Sequence, residues 1–233
     1  MPLSLPLFHL LNVLVNPSLL PDQLPNQYLG NQGFISFEEP QNTFTPLFSS
    51  LTVNGVSIGS QGSLSITDVF TASTFASLPN QTAIEKLKDS SGREVWNYPI
   101  GTEVAHEILF NDLAHSVYEL RILRKISDSE WDYASYSPSP AVNSDHQLIR
   151  NHYSGTAELA TTLQLNNGTA AKIDLRRINL NSCKRCHSMN SIAAYQYPNA
   201  NSAGPCGFTP GNDSGIQTWI QKFEEKFGHS PFR

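Results

Sequence analysis

The sequence has no lysine or arginine before Lys86, although it runs to 233 residues. Nowhere do basic residues form a run or a stripe, and the formal net charge is −5, which argues against a nucleic-acid-binding protein. A membrane-spanning helix needs about 20 consecutive apolar residues. The sequence contains no such run. The length is enough for one large domain, or for a domain with a long appendage.

The apolar opening, residues 1–20, also lacks the basic residues that begin a signal peptide, and prolines interrupt it. We therefore do not identify it as a signal peptide. Proline has no amide donor and fixes φ, so we expect an extended apolar arm over residues 1–32 rather than a long helix. Such an arm buries its leucines on its own domain, which we favour, or on a neighbouring subunit of a homo-oligomer. Residues 33–233 are predicted to form a single β-rich domain.

Cysteine is rare, yet two of the three cysteines stand two residues apart in Cys183-Lys184-Arg185-Cys186-His187. Cys-x-x-Cys-His is the attachment signature of c-type haem. On one helical turn the two thiols reach the two vinyl groups of a haem, and His187 then supplies an axial ligand to the iron. The motif predicts one covalently bound haem c. Covalent attachment in turn implies a periplasmic or otherwise extracytoplasmic location.

Other interpretations of the cysteine pair remain open at this stage. A zinc site could combine Cys183, Cys186 and His187 with Cys206, but adjacent cysteine and histidine ligands fit poorly around one tetrahedral ion. A dithiol redox motif needs a βαβ pattern, which the sequence lacks. A plain disulfide between Cys183 and Cys186 is the simplest alternative. Cys206, once two cysteines hold haem, is a leftover thiol whose role is open.

The middle of the sequence has the alternating pattern of antiparallel β-sheet. In 103–110, for example, Val104, His106, Ile108 and Phe110 share one face. Asn54-Gly55 fits the tight turn of a β-hairpin. We predict strands at 34–37, 103–110, 118–126 and 131–136, and hairpins at 51–58 and 158–178.

Helices are predicted at three places. Residues 82–88 favour a short helix, and 187–195 continue the helix that carries the haem. Near the end, apolar residues follow helical spacing at Ile216, Trp219, Ile220, Phe223 and Phe227. The predicted fold class is therefore α+β, with a mostly antiparallel β-sheet core, a haem-bearing helix and a C-terminal amphipathic helix. Trp219 and Phe223 are candidates for an apolar wall of the haem site.

From Trp96 onward the sequence resembles the cytochrome P-460 and cytochrome c-prime-beta families and related bacterial monohaem domains. The resemblance rests on three blocks in the same order. They are Trp96-Asn97-Tyr98-Pro99-Ile100-Gly101-Thr102, then Tyr118-Glu119-Leu120-Arg121-Ile122-Leu123-Arg124 with Trp131-Asp132-Tyr133-Ala134-Ser135-Tyr136, and finally the Cys-x-x-Cys-His motif. It covers a little over half of the chain and implies a β-rich haem fold.

The resemblance also implies a role for His106. Members of the P-460 family that oxidise hydroxylamine carry a lysine in the strand after the Pro-x-Gly-Thr turn, and this lysine is cross-linked to the haem. The matching position is His106, so that chemistry is in doubt here, while His106 would still face the haem. His106 and His229 are our candidates for the sixth iron ligand, opposite His187.

The preferred function is electron transfer between the haem and a redox partner protein, with a strong sixth ligand on the iron. An alternative from another class is an open haem site that binds nitric oxide or oxidises small nitrogen compounds. A third is a structural haem subunit that docks on its neighbours through residues 1–32. A filled or open sixth position separates the first two.

The haem motif predicts the effect of removing both thiols. Changing Cys183→Ser together with Cys186→Ser should abolish covalent haem, because serine forms no thioether. The check is haem staining of the denatured, purified protein against the unaltered chain and a Cys206→Ser control. Haem retained by the double variant after denaturation would contradict the prediction.

Overall fold

The computed structural model describes residues 19–25, 27–36, 48–58, 60, 64–79, 82–88, 92, 94–128, 131–138, 147–151, 158–177 and 213–233. These residues form a seven-stranded sheet, a four-stranded sheet and a two-stranded ribbon. Every pair of neighbouring strands among them is antiparallel. The predicted antiparallel β-rich core is therefore confirmed.

The seven-stranded sheet has the order β1-β11-β10-β9-β8-β5-β2. Its strands are β1 (Gln23–Pro25), β2 (Ile35–Ser36), β5 (Phe70–Ser77), β8 (Glu103–Phe110), β9 (Val117–Lys125), β10 (Trp131–Pro138) and β11 (Gln147–Arg150). The four-stranded sheet has the order β12-β13-β3-β4. Its strands are β3 (Phe48–Val53), β4 (Val56–Ser57), β12 (Glu158–Gln164) and β13 (Ala170–Arg177).

Both predicted hairpins are present. At the turn between β3 and β4, Asn54 and Gly55 have φ of 52° and 80°, the left-handed values that a type I′ turn requires. The backbone N–H of Asn54 donates to the Lys172 carbonyl at 2.8 Å, and its side-chain oxygen accepts from the Lys172 N–H, also at 2.8 Å. The turn is thereby fixed to the neighbouring strand β13.

Three helices occur in the described residues, namely α1 (Tyr28–Asn31), α2 (Ile66–Val69) and α3 (Asp213–Phe227). The predicted C-terminal helix is confirmed as α3, and Gly228 follows it with φ of 74°. The helix predicted at 82–88 is wrong. Residues Glu85–Lys88 form strand β6, which pairs with β7 (Glu94–Asn97) as the ribbon. Within the described part of the chain, no helix is long and apolar enough to cross a bilayer.

Register divides the side chains of the large sheet between two faces, since residues directly opposite each other in antiparallel strands point the same way. One face carries Val104, His106, Ile108 and Phe110, as predicted, and we call it the His106 face. The other carries Ala105 with Ile122 and Ala134, which are paired across β8, β9 and β10. We call it the opposite face.

The opposite face is covered by the chain from Leu19 to Phe34. The core there comprises Leu20, Leu24, Tyr28, Phe34, Ala105, Leu120, Ile122, Ala134, Tyr136 and Leu148. Most of the predicted arm that the structure describes therefore packs on its own domain. Residues 1–18 lie outside the described residues, and docking on a neighbour stays a prediction.

Two arginines attach this covering segment to the sheet. The Arg124 guanidinium donates to Glu103 at 2.6 Å and to the Leu19 carbonyl at 3.1 Å. The Tyr28 hydroxyl donates to the same Glu103 carboxylate at 2.7 Å. Arg150 likewise joins the Leu20 carbonyl to the sheet. Backbone carbonyls of the segment thus accept hydrogen bonds from partly buried arginines of the sheet.

Burial of the covering segment predicts a clear contrast between two leucines. Leu24 is 2% exposed and Leu19 is 50% exposed. Leu24→Ala should lower the free energy of unfolding by roughly 2–5 kcal/mol through lost burial and a new cavity, and Leu19→Ala by much less. Urea unfolding measures both. Equal stability of the two variants would contradict the packing described.

Candidate functional site

The predicted haem-attachment residues Cys183, Cys186 and His187 lie outside the described residues, as do Cys206 and the helix predicted at 187–195. The structure does describe the two elements that flank them in the chain. Strand β13 ends at Arg177, and α3 begins at Asp213. The motif therefore belongs to the connection between β13 and α3.

Both flanking elements pack on the His106 face. Helix α3 contributes Trp219 and Phe223 to a buried apolar cluster at one end of the face, which we call the helix-side cluster. Its members are Ile35, Ala76, Leu78, Ile84, Trp96, Val104, Leu123, Tyr133, Trp219 and Phe223. Strand β13 contributes Ala171, Ile173 and Leu175 to a second cluster at the other end of the face. This sheet-side cluster consists of Leu51, Val53, Val69, Phe70, Ile108, Phe110, Tyr118, Leu165, Ala171, Ile173 and Leu175.

A row of polar residues crosses the sheet between these two clusters. By register, Thr74 of β5 lies opposite His106 of β8, His106 opposite Arg121 of β9, and Arg121 opposite Ser135 of β10. Val104 and Ile108, on either side of His106 along the same face, belong to the helix-side and sheet-side clusters. We call Thr74, His106, Arg121 and Ser135 the polar row.

Hydrogen bonds to Glu119 join Arg121 and Ser135 of the polar row, and Ser135 also contacts Asn151. The Arg121 Nη2 donates to Glu119 Oε2 at 2.7 Å, and the Ser135 hydroxyl donates to Glu119 Oε1. The Asn151 amide donates to the Ser135 hydroxyl at 2.7 Å and to the Ser137 hydroxyl at 3.0 Å. Glu119 and Arg121 are 6% and 8% exposed. This is a buried ion pair whose carboxylate accepts from donors on two strands.

The environment of His106 keeps its imidazole neutral. Burial, and secondly the positive charge of Arg121, lower the pKa of His106 to about 4, while the Glu119 charge acts weakly in the other direction. Neutral imidazole is the form that binds a metal ion, because a ring nitrogen keeps its lone pair. The side chain is therefore chemically suited to ligate iron at ordinary pH.

The other predicted haem contacts lie at the helix-side cluster. Trp219 and Phe223 are buried, with ring centroids 5.5 Å apart, and they pack on the sheet. They form core of the domain, at one end of the His106 face. Their contact with haem stays a prediction.

His229, the second candidate sixth ligand, lies just beyond α3 and is exposed. Its ring meets Phe223 edge-on, with centroids 5.4 Å apart, and its Nδ1 lies 2.9 Å from the Ser230 carbonyl. His229 is therefore at the solvent side of the helix end, whereas His106 is on the sheet. Iron ligation by His229 also stays a prediction.

Comparison with protein-family models, with curated proteins and with solved structures finds no match to the chain. The resemblance to the P-460 and cytochrome c-prime-beta families thus stays a prediction from the quoted residues. Among the described residues, no group of three or more histidine, cysteine or acidic side chains is arranged to hold a metal ion.

Sequence reasoning did not identify Glu119, Ser135 or Asn151 as part of a site. One signal was present, because Glu119 and Arg121 stand two apart in a predicted strand and hence on one face. Pairing of β9 with β10, which brings Ser135 opposite Arg121, depends on register. The contact of Asn151 with Ser135 depends on the path of the chain beyond β11.

The lowered pKa of His106 predicts a pH dependence of stability. In the unfolded chain His106 takes up a proton near pH 6.5, whereas in the folded chain it does so only near pH 4. Stability should therefore be lost as pH falls from 6.5 to 4, by on the order of 2–3 kcal/mol. Urea unfolding of the haem-free chain, with and without His106→Gln, at several pH values measures this loss, because iron bound to His106 would block its protonation. The variant should show a smaller slope, and identical slopes would contradict the assignment.

Proposed function

We propose that the protein is a monohaem c-type cytochrome that transfers electrons, with haem attached to Cys183 and Cys186 and ligated by His187. We further propose that the haem lies against the His106 face, where His106 supplies the sixth ligand. The sequence motif carries the first proposal. The observation that carries the second is that β13 and α3, the elements on either side of the motif, both pack on this face.

The path of the chain supports this location. The connection leaves a strand that packs at one end of the His106 face and joins a helix that packs at the other end. The polar row lies between the two clusters that these elements cover. A haem carried by the connection would thus have His106 and the apolar borders of both clusters within the same region of the sheet.

The residues present fit a haem. Haem needs apolar walls and an axial donor, and the His106 face offers two apolar clusters with a neutral imidazole between them. Bound haem would supply a one-electron iron couple. His187 and His106 would hold the iron. The apolar side chains at the borders of the two clusters would limit the access of water to the haem.

Electron transfer is preferred to small-molecule chemistry because of His106. His187 and His106 would both hold the iron, and a haem with two histidine ligands would supply a one-electron couple suited to electron transfer. An open site would need the position opposite His187 to lack a strong donor. The proposal includes an extracytoplasmic location, since covalent haem is attached there, and a redox partner protein.

The spectrum of the ferrous protein tests the sixth position. The unaltered protein should show a sharp low-spin α band that carbon monoxide does not change. His106→Ala should become high-spin and bind carbon monoxide, because alanine offers no donor. His229→Ala, an exposed histidine in the same chain, is the matched control and should keep the low-spin spectrum.

Three outcomes would change the assignment. Carbon monoxide binding by the unaltered protein would replace electron transfer by the open-site alternative. Loss of the low-spin band in His229→Ala and not in His106→Ala would make His229 the ligand. Absence of any covalent haem from protein matured with haem-ligation machinery would overturn the proposal as a whole.

A further inference from the structure

The ion pair between Glu119 and Arg121 has no part in the proposed ligation of the iron, yet it is the charged part of the His106 face closest in register to His106. The two side chains meet at 2.7 Å and are almost fully buried. Burial of an ion pair is costly, and replacement by apolar residues is often neutral or stabilising. Its presence on the His106 face therefore calls for an explanation other than stability.

Register fixes where the two charges stand relative to His106. Arg121 lies directly opposite His106 in the pairing of β8 with β9. Glu119 lies opposite Ile108, one position further along the same face. Because both charges are shielded from water, their fields at the His106 side chain are weakly screened by solvent and salt.

The carboxylate of Glu119 is held in one orientation. Its two oxygens accept from different strands, one from Arg121 of β9 and the other from Ser135 of β10. Asn151 in turn donates to the Ser135 hydroxyl. Groups that are fixed before a charge changes nearby stabilise or destabilise that charge without reorganising, which is the condition for a strong electrostatic effect.

We infer that the Glu119–Arg121 pair sets the reduction potential of the haem, with Arg121 raising it and Glu119 lowering it. The inference rests on the proposed function, since it needs the iron at the His106 face. Reduction adds one negative charge to the haem, so a nearby cation favours the ferrous state and a nearby anion opposes it. Both residues would act on the haem through their charge, and neither would bind the iron.

Three variants of the haem-loaded full chain test the inference by potentiometric titration. Glu119→Gln removes one negative charge and should shift the midpoint potential upward. Arg121→Gln removes one positive charge and should shift it downward. The double variant removes both charges and should return the potential close to that of the unaltered protein. Structural damage alone would not give opposite signs that cancel.

Glu103→Gln provides a matched control. Glu103 is 7% exposed and also pairs with an arginine of β9, Arg124, but it lies on the opposite face of the same strand as His106. Its removal should shift the potential by much less than Glu119→Gln does. An equal shift in both variants would overturn the inference, since the effect would then be independent of the face.

Variants that break a buried ion pair can fail to fold. Ser137→Asp leaves the Glu119–Arg121 pair unaltered and therefore tests the inference in that case. Ser137 is half-buried on β10 and accepts a hydrogen bond from Asn151, so a carboxylate there adds a negative charge beside the polar row with access to water. This variant should lower the potential, and an unchanged potential would overturn the inference. If the haem-loaded variants all show the midpoint potential of the unaltered protein, the inference is overturned but the proposed function is not. Protein that never acquires covalent haem overturns the proposed function with it.

Discussion

The central strands of the large sheet are buried on both faces, and this requirement determines how the rest of the chain is arranged. On the opposite face, Ala105, Ile122 and Ala134 are covered by the segment from Leu19 to Phe34. On the His106 face, the cover comes from the four-stranded sheet at one end and from α3 at the other. The large sheet thus needs the covering segment, strand β13 and helix α3 together, although they are far apart in the sequence.

The polar row is the part of the buried sheet where this apolar packing is interrupted. Buried polar groups need partners, and Glu119 and Arg121 of β9, Ser135 of β10 and Asn151, just after β11, supply them to one another. His106 stands in the same row with its pKa lowered. The Cys-x-x-Cys-His motif belongs to the connection between the two elements that border this row, and this is the ground on which we propose that the haem lies on this face.

Local patterns were sufficient for α3 and for eight strands, β2, β3, β4, β8, β9, β10, β12 and β13, because alternation and helical spacing reflect which face is buried. They did not predict the strands β1, β5, β6, β7 and β11. The β3–β4 turn followed from Asn54-Gly55, whose left-handed conformation few other residues adopt. The helix predicted at 82–88 was wrong because Glu, Lys and Leu favour a helix in isolation, whereas pairing with β7 makes Glu85–Lys88 a strand. The burial of Glu119 and Arg121 was also beyond local reasoning, since alternation does not tell whether a charged face meets water or a second layer.

We propose that a covalently bound haem lies against the His106 face, and nuclear magnetic resonance of the ferric protein is the sharpest test of that location. Unpaired electron spin on the iron shifts and broadens signals of nearby nuclei. We expect such effects at Thr74, His106 and Ser135, and much weaker ones at Ala105, Ile122 and Ala134 on the opposite face. Effects concentrated on the opposite face, or absent from both faces, would rule out this location of the haem.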